Sequence, residues 1–164
     1  MELLIVIMII GIVYTLAVNS FTKLSDKKSR VTLLNLKEYL HSFPHLKSVE
    51  LLCLDDCSSC DVFVDDNKSA TIDNFLNEKV TTYRYEFLYG YTEAQKEVYF
   101  NVDDVEEDVC FSYAIKKNGV GDQVLVEFEK KFYDMSTYFS TALVYNSLKD
   151  AQEAKENLIQ KVTR

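Results

Sequence analysis

The chain has one proline, four glycines and no tryptophan among its 164 residues. So little glycine and proline excludes collagen-like and low-complexity architectures, and no short repeat recurs. Bases are in deficit, with 18 Lys and Arg against 26 Asp and Glu for a net charge of −8. That balance argues against direct nucleic-acid binding, because affinity for phosphate backbones comes from clustered Lys and Arg. No G-x-S-x-G, phosphate loop, H-E-x-x-H or dinucleotide fingerprint occurs. No catalytic residue is therefore assigned, and the chain is not expected to be an enzyme. Aromatics are plentiful: 11 Tyr and 10 Phe supply apolar area for a core and speak against disorder.

The hydrophobic residues are unevenly spread. Leu3 to Val18 reads LLIVIMIIGIVYTLAV without a formal charge, preceded by Met1 and Glu2. As a helix it would span about 24 Å at about 1.5 Å per residue, against a hydrocarbon core of about 30 Å. A cleaved secretory signal would carry a basic start and a small-residue cleavage site, whereas the charge here is Glu2 and Ala17-Val18-Asn19 is a poor match. A buried core helix would alternate polar and apolar faces, and this run is apolar all round. The segment reads as a single-pass anchor. Glu2 is its odd residue, since a carboxylate at the edge of an apolar helix calls for a partner or a task.

Glu2-Leu3-Leu4-Ile5-Val6-Ile7-Met8-Ile9-Ile10-Gly11-Ile12 resembles the N-terminal helix of type IV pilins and of the pseudopilins of type II secretion systems. The resemblance covers about twenty residues, and the rest of the chain agrees only in architecture. It implies assembly through Glu2, Leu3, Leu4, Ile5, Val6 and Gly11, with Glu2 neutralising the terminal amine of a neighbouring subunit and setting register in a filament. It also implies cleavage and methylation by a prepilin peptidase. The family's basic leader and cleavage Gly do not precede Glu2 here, and Met1 stands where the family has an aliphatic residue. The implied partners are other pilins or pseudopilins and an inner-membrane assembly platform. The implied placement is the bacterial inner membrane, single-pass, with the C-terminal head in the periplasm.

Beyond Val18 an amphipathic stalk helix is expected, with Phe21, Leu24, Val31, Leu33, Leu36, Leu40 and Phe43 at spacings of three, four and seven before Pro44 ends it. Residues 1–45 hold five bases and three acids, whereas the remainder holds 13 and 23. A mildly basic stalk beneath an acidic head suits packing between subunits, and equally the solubility of a surface domain. Tyr83, Tyr85, Phe87, Tyr89 and Tyr91 alternate as one face of a strand. Val98, Phe100 and Val102 repeat the alternation, as do Val109, Phe111, Tyr113 and Ile115, and then Val124, Val126 and Phe128. Asn118 to Asp122 reads as a hairpin connector. Ser147 and Asp150 resemble a capping pair ahead of a helical stripe of Ala151, Ala154, Leu158 and Val162. The expected fold class is α+β: a long N-terminal membrane and stalk helix packed on an antiparallel head, with a C-terminal helix. Its expected parts are an assembly helix over 1–18, a stalk over 19–45 and a periplasmic head over 46–164.

Cys53, Cys57, Cys60 and Cys110 read as two disulfides with three possible pairings, in a head outside the cytoplasm. A zinc site lacks paired CxxC knuckles, and a redox Cys57-Ser58-Ser59-Cys60 lacks a thioredoxin-like setting and sits among Asp55, Asp56 and Asp61. Asp65, Asn67 and Ser69 alternate oxygen side chains as a calcium loop does, without its turn glycine or distal Glu. No cofactor is expected, with calcium the weak alternative. Asp103, Asp104, Glu106, Glu107 and Asp108 read as a solvated turn, and His41 and His45 as a surface pair interrupted by Pro44. The sequence thus points to a minor pseudopilin of a secretion, pilus or DNA-uptake machine. The alternative is a single-pass membrane protein whose periplasmic domain binds a ligand without polymerising.

Overall fold

The computed structural model describes residues 30–76, 80–95, 98–100, 104–137 and 141–162. The chain divides into two units, 1–30 and 31–164. Ten strands and two helices follow one another in the described part of the second. Helix α1 (Leu36–His41) precedes β1 (Ser48–Leu54), β2 (Ser59–Val64), β3 (Asn67–Asp73), β4 (Thr81–Glu86) and β5 (Gly90–Glu93). Then come β6 (Val98–Phe100), β7 (Glu106–Lys116), β8 (Val124–Phe128), β9 (Lys131–Asp134), β10 (Leu143–Tyr145) and helix α2 (Leu148–Val162).

The strands form two antiparallel five-stranded sheets, ordered β3-β2-β1-β7-β6 and β10-β9-β8-β4-β5. Strand β7 aligns Tyr113 with Leu51 and Ile115 with Val49, and a bridge from Ile115 to Gly121 leads into the second sheet. Between the sheets lies one apolar core. Val49, Leu51, Phe111, Tyr113 and Ile115 come from the first sheet, Val124 and Val126 from the second, and Leu33, Leu36 and Leu40 from α1 and its approach. A smaller cluster of Leu125, Phe132 and Ala151, with Leu148 packed against it, seats α2 on the second sheet. Gly121 lies so close to Tyr113 that a Cβ there would overlap its hydroxyl.

This architecture overturns the expected α+β class. The described chain is mainly β, and the stalk expected over 19–45 is helical within the described residues only at Leu36–His41. Just before the helix the Asn35 side chain accepts from the Thr32 backbone N–H at 2.7 Å, closing a turn. The stripe residues Leu33, Leu36 and Leu40 are nevertheless buried. Single-pass placement in the inner membrane is corrected as well, because among the described residues no helix is long and apolar enough to cross a membrane. The run Leu3–Val18 that prompted it lies outside the described residues.

The tyrosine ladder is not one strand. The chain reverses at Phe87-Leu88-Tyr89, with Tyr89 N–H donating to the Glu86 carbonyl and Gly90 at φ 76. Tyr85 and Tyr91 thereby meet edge to face across the hairpin, their ring centroids 5.3 Å apart. Residues 106–108, expected as a solvated turn, pair with β6 as part of β7, whereas Asp103 and Val102 lie outside the described residues. The C-terminal cap is present, with Asp150 N–H donating to Ser147 Oγ at 3.1 Å. Only the first half of the stripe behind it is covered, since Leu158 and Val162 are exposed.

Two of the hairpins turn on only two residues, neither of them glycine. Asp65 and Asp66 (φ 50 and 71) join β2 to β3, and Glu129 and Lys130 (φ 50 and 60) join β8 to β9. Both are two-residue connections in which each central residue has the left-handed φ of a type I′ turn. A side chain in that region costs about 1–2 kcal/mol that glycine avoids, partly offset by glycine's greater entropy when unfolded. Lys130→Gly is therefore expected to raise the unfolding free energy by about 0.5–1 kcal/mol in urea titration; a loss of stability would show that the turn is not left-handed at this position.

Candidate functional site

The cysteines resolve into one of the three pairings. Cys53 bonds Cys60, its direct partner in the β1–β2 register, and Cys57 bonds Cys110 on β7. Cys53, Cys57 and Cys60 are buried, and no free cysteine remains. Zinc and dithiol chemistry at these positions is thereby ruled out in this state. The Cys57–Cys110 bond carries the loop between β1 and β2 onto β7, where Asp55 N–H also donates to the Asp108 carbonyl at 2.9 Å. The two bonds close stretches of very different length, with sequence separations of 7 and 53.

The three calcium candidates do not converge. Asp65 accepts backbone N–H groups from Leu46, Lys47 and Ser48 at 2.6–3.2 Å. The bonds from Leu46 and Lys47 hold its carboxyl below the usual range. Asn67 donates its amide to the Asp65 carbonyl, and Ser69 its hydroxyl to the Asn67 carbonyl. Asp65 is thus the anchor that fixes the chain's entry into β1. Among the described residues, no group of three His, Cys, Asp or Glu is placed to hold a metal. His41 is exposed at the end of α1, and His45 Nδ1 lies 2.9 Å from the Phe43 carbonyl. The assembly residues Glu2, Leu3, Leu4, Ile5, Val6 and Gly11 lie outside the described residues.

Sequence reasoning missed one concavity. A cleft of about 930 Å³ opens where β7 and β4 part beyond the Ile115–Gly121 bridge. Among the described residues six carboxylates line it, from Glu50, Asp55, Asp56, Glu93, Asp108 and Asp122, with the guanidinium of Arg84. Asp122 is held in place by the Ala114 N–H at 2.8 Å. Asp56 is kept ionised by hydrogen bonds from Ser58, which hold its carboxyl below the usual range. Cys110, Phe111 and Val124 contribute apolar ground. These acids come from separate segments, so no local spacing announces them.

One buried polar node lies elsewhere. Lys37 and Asp134 are only 6% and 7% exposed. Lys37 Nζ donates to the carbonyl and hydroxyl oxygens of Thr137, and Asp134 Oδ1 accepts from Ser136 N–H at 2.8 Å. Burial pushes the Lys37 ammonium below its ordinary pKa, and Asp134 partly restores it. Tyr83 donates to Glu127 at 2.7 Å and is pushed up to about 12, first by burial and then by that bond.

Two outcomes are expected. In the chain-entropy picture the longer closure contributes about 4 kcal/mol and the shorter about 2 kcal/mol. The pair Cys57→Ala with Cys110→Ala should therefore lower the urea midpoint more than Cys53→Ala with Cys60→Ala; the reverse order would contradict that account. For Asp65 the folded pKa is depressed, so its contribution is present above the ordinary carboxylate range and is lost as pH falls through the folded value. Asp65→Asn should flatten the acid limb of a stability-versus-pH curve, and an unchanged limb would remove Asp65 from that role. Comparisons with known protein families, with characterised proteins and with solved structures find no match for this chain.

Proposed function

We propose that the chain is a pilin-like structural subunit, of the minor pseudopilin kind, that acts by assembling into a filament and carries out no catalysis. The observation that carries this reading is Glu2 at the head of the uncharged run Leu3–Val18. A lone carboxylate packed among apolar side chains is costly unless it meets a cation, and a neighbour's terminal amine supplies one. The two disulfides support it, because a bonded head suits an oxidising compartment outside the cytoplasm. Related subunits, an assembly platform and a prepilin peptidase would be its partners, in secretion, pilus formation or DNA uptake.

The test replaces Glu2 in the native host and follows incorporation into sheared filaments by immunoblot. Glu2→Ala should reduce incorporation by about tenfold or more, the equivalent of losing one ion pair in an apolar setting, while Glu2→Asp retains part of it. Assembly unchanged by Glu2→Ala would overturn the reading, leaving a non-polymerising protein whose acidic cleft is a ligand site.

A further inference from the structure

We propose that the acid-lined cleft between β4 and β7 receives the basic stretch Lys23–Arg30 of a second copy of this chain. The inference rests on the assembly reading and names the contact that would carry it.

Two independent observations meet. Among the described residues the cleft sets six carboxylates against one guanidinium in about 930 Å³, and Asp56 and Asp122 are held in place by hydrogen bonds from Ser58 and Ala114. A concavity of that sign favours a cation in an aqueous setting, and its apolar ground at Phe111 and Val124 suits the methylene stem of a lysine. The same chain carries Lys23, Lys27, Lys28 and Arg30 within eight residues, with Asp26 the one acid among them.

The occupant follows from symmetry. Two complementary patches at different places on one chain form a heterologous contact between copies, which leaves each copy with an unused cleft at one end and an unused basic stretch at the other. Such a contact propagates as an open series wherever its rotation does not close a ring, whereas a self-complementary patch would stop at a dimer. Electrostatic matching of this kind also fixes register and excludes wrong partners, since a shifted neighbour sets like charges together.

Full-length protein at low ionic strength, mixed as equal parts normal and ¹⁵N-labelled chains, is treated with a zero-length carbodiimide cross-linker, and cross-linked peptides are read by mass spectrometry. Mixed-label products joining Lys23, Lys27 or Lys28 to Asp55, Asp56, Glu93 or Asp108 are expected, and high salt should suppress them. Lys27→Glu with Lys28→Glu should lower their yield by about tenfold, as the loss of two partly exposed ion pairs predicts. Adding Asp56→Lys and Asp108→Lys should restore association, detected as mixed-label products elsewhere in the chain. Same-label products alone at these residues would overturn the proposal, as would mixed-label products confined to other surfaces. The second result leaves the assembly reading standing. Mixed-label products absent everywhere, at any protein concentration, would remove both.

Discussion

Phe111, Tyr113 and Ile115 form the inward row of β7, sealed from water, and the elements on either side are arranged by that burial. The row aligns with Cys53, Leu51 and Val49 on β1, receives Leu36 and Leu40 from α1, and faces Val124 and Val126 of the second sheet within one core. Tyr113 ties the two halves further, its hydroxyl 3.4 Å from the Met135 carbonyl. Burial raises the tyrosine's pKa well above its ordinary value. The cleft is the complement of this packing. Phe111 and Val124 belong to both the core and the cleft lining.

The β7 and β8 alternation was legible because its apolar residues are β-branched or aromatic and lie on one buried face. The Ser147 cap was legible for a local reason, since a hydroxyl before a helical stripe bonds a backbone amide three residues on. The tyrosine ladder misled because period two states which face a residue occupies and not where the strand ends. Phe87, Leu88 and Tyr89, exposed by 81%, 81% and 75%, are apolar where turns are ordinarily polar. The turns at Asp65-Asp66 and Glu129-Lys130 lack the glycine that usually announces a type I′ hairpin. The strands β1 to β3 went unread for the same reason. Among the described residues the stripe before Pro44 is apolar and largely buried, yet helical only over Leu36–His41, because spacing records a buried face and a turn closed by Asn35 precedes the helix.

Lys37 shows how a polar residue enters such a core. It stands between buried Leu36 and Leu40 on the one described turn and a half of α1. Its ammonium is satisfied by two oxygens of Thr137, with the Asp134 charge close enough to oppose the effect of burial. A buried charge with good hydrogen bonds contributes little net stability compared with a well-packed apolar side chain, yet removing one partner leaves the other exposed to the full desolvation penalty. Apolar burial alone would tolerate several orientations of so short a helix. The lysine ties α1 to Thr137 in the segment that follows β9.

The two disulfides interleave along the chain, 53 with 60 and 57 with 110, and this ordering constrains biogenesis. In an unfolded chain the quickest encounters are between near neighbours, because closing a short loop loses the least entropy. Cys57 would then meet Cys53 or Cys60 long before Cys110, and either bond would orphan two thiols. Native oxidation has to wait until the β1–β2 ladder has placed Cys53 opposite Cys60. That ladder withdraws both near competitors and leaves Cys57 to the distant strand. The hairpin therefore serves as the template that selects among thiols, and a chain oxidised before it forms would need a disulfide isomerase to recover.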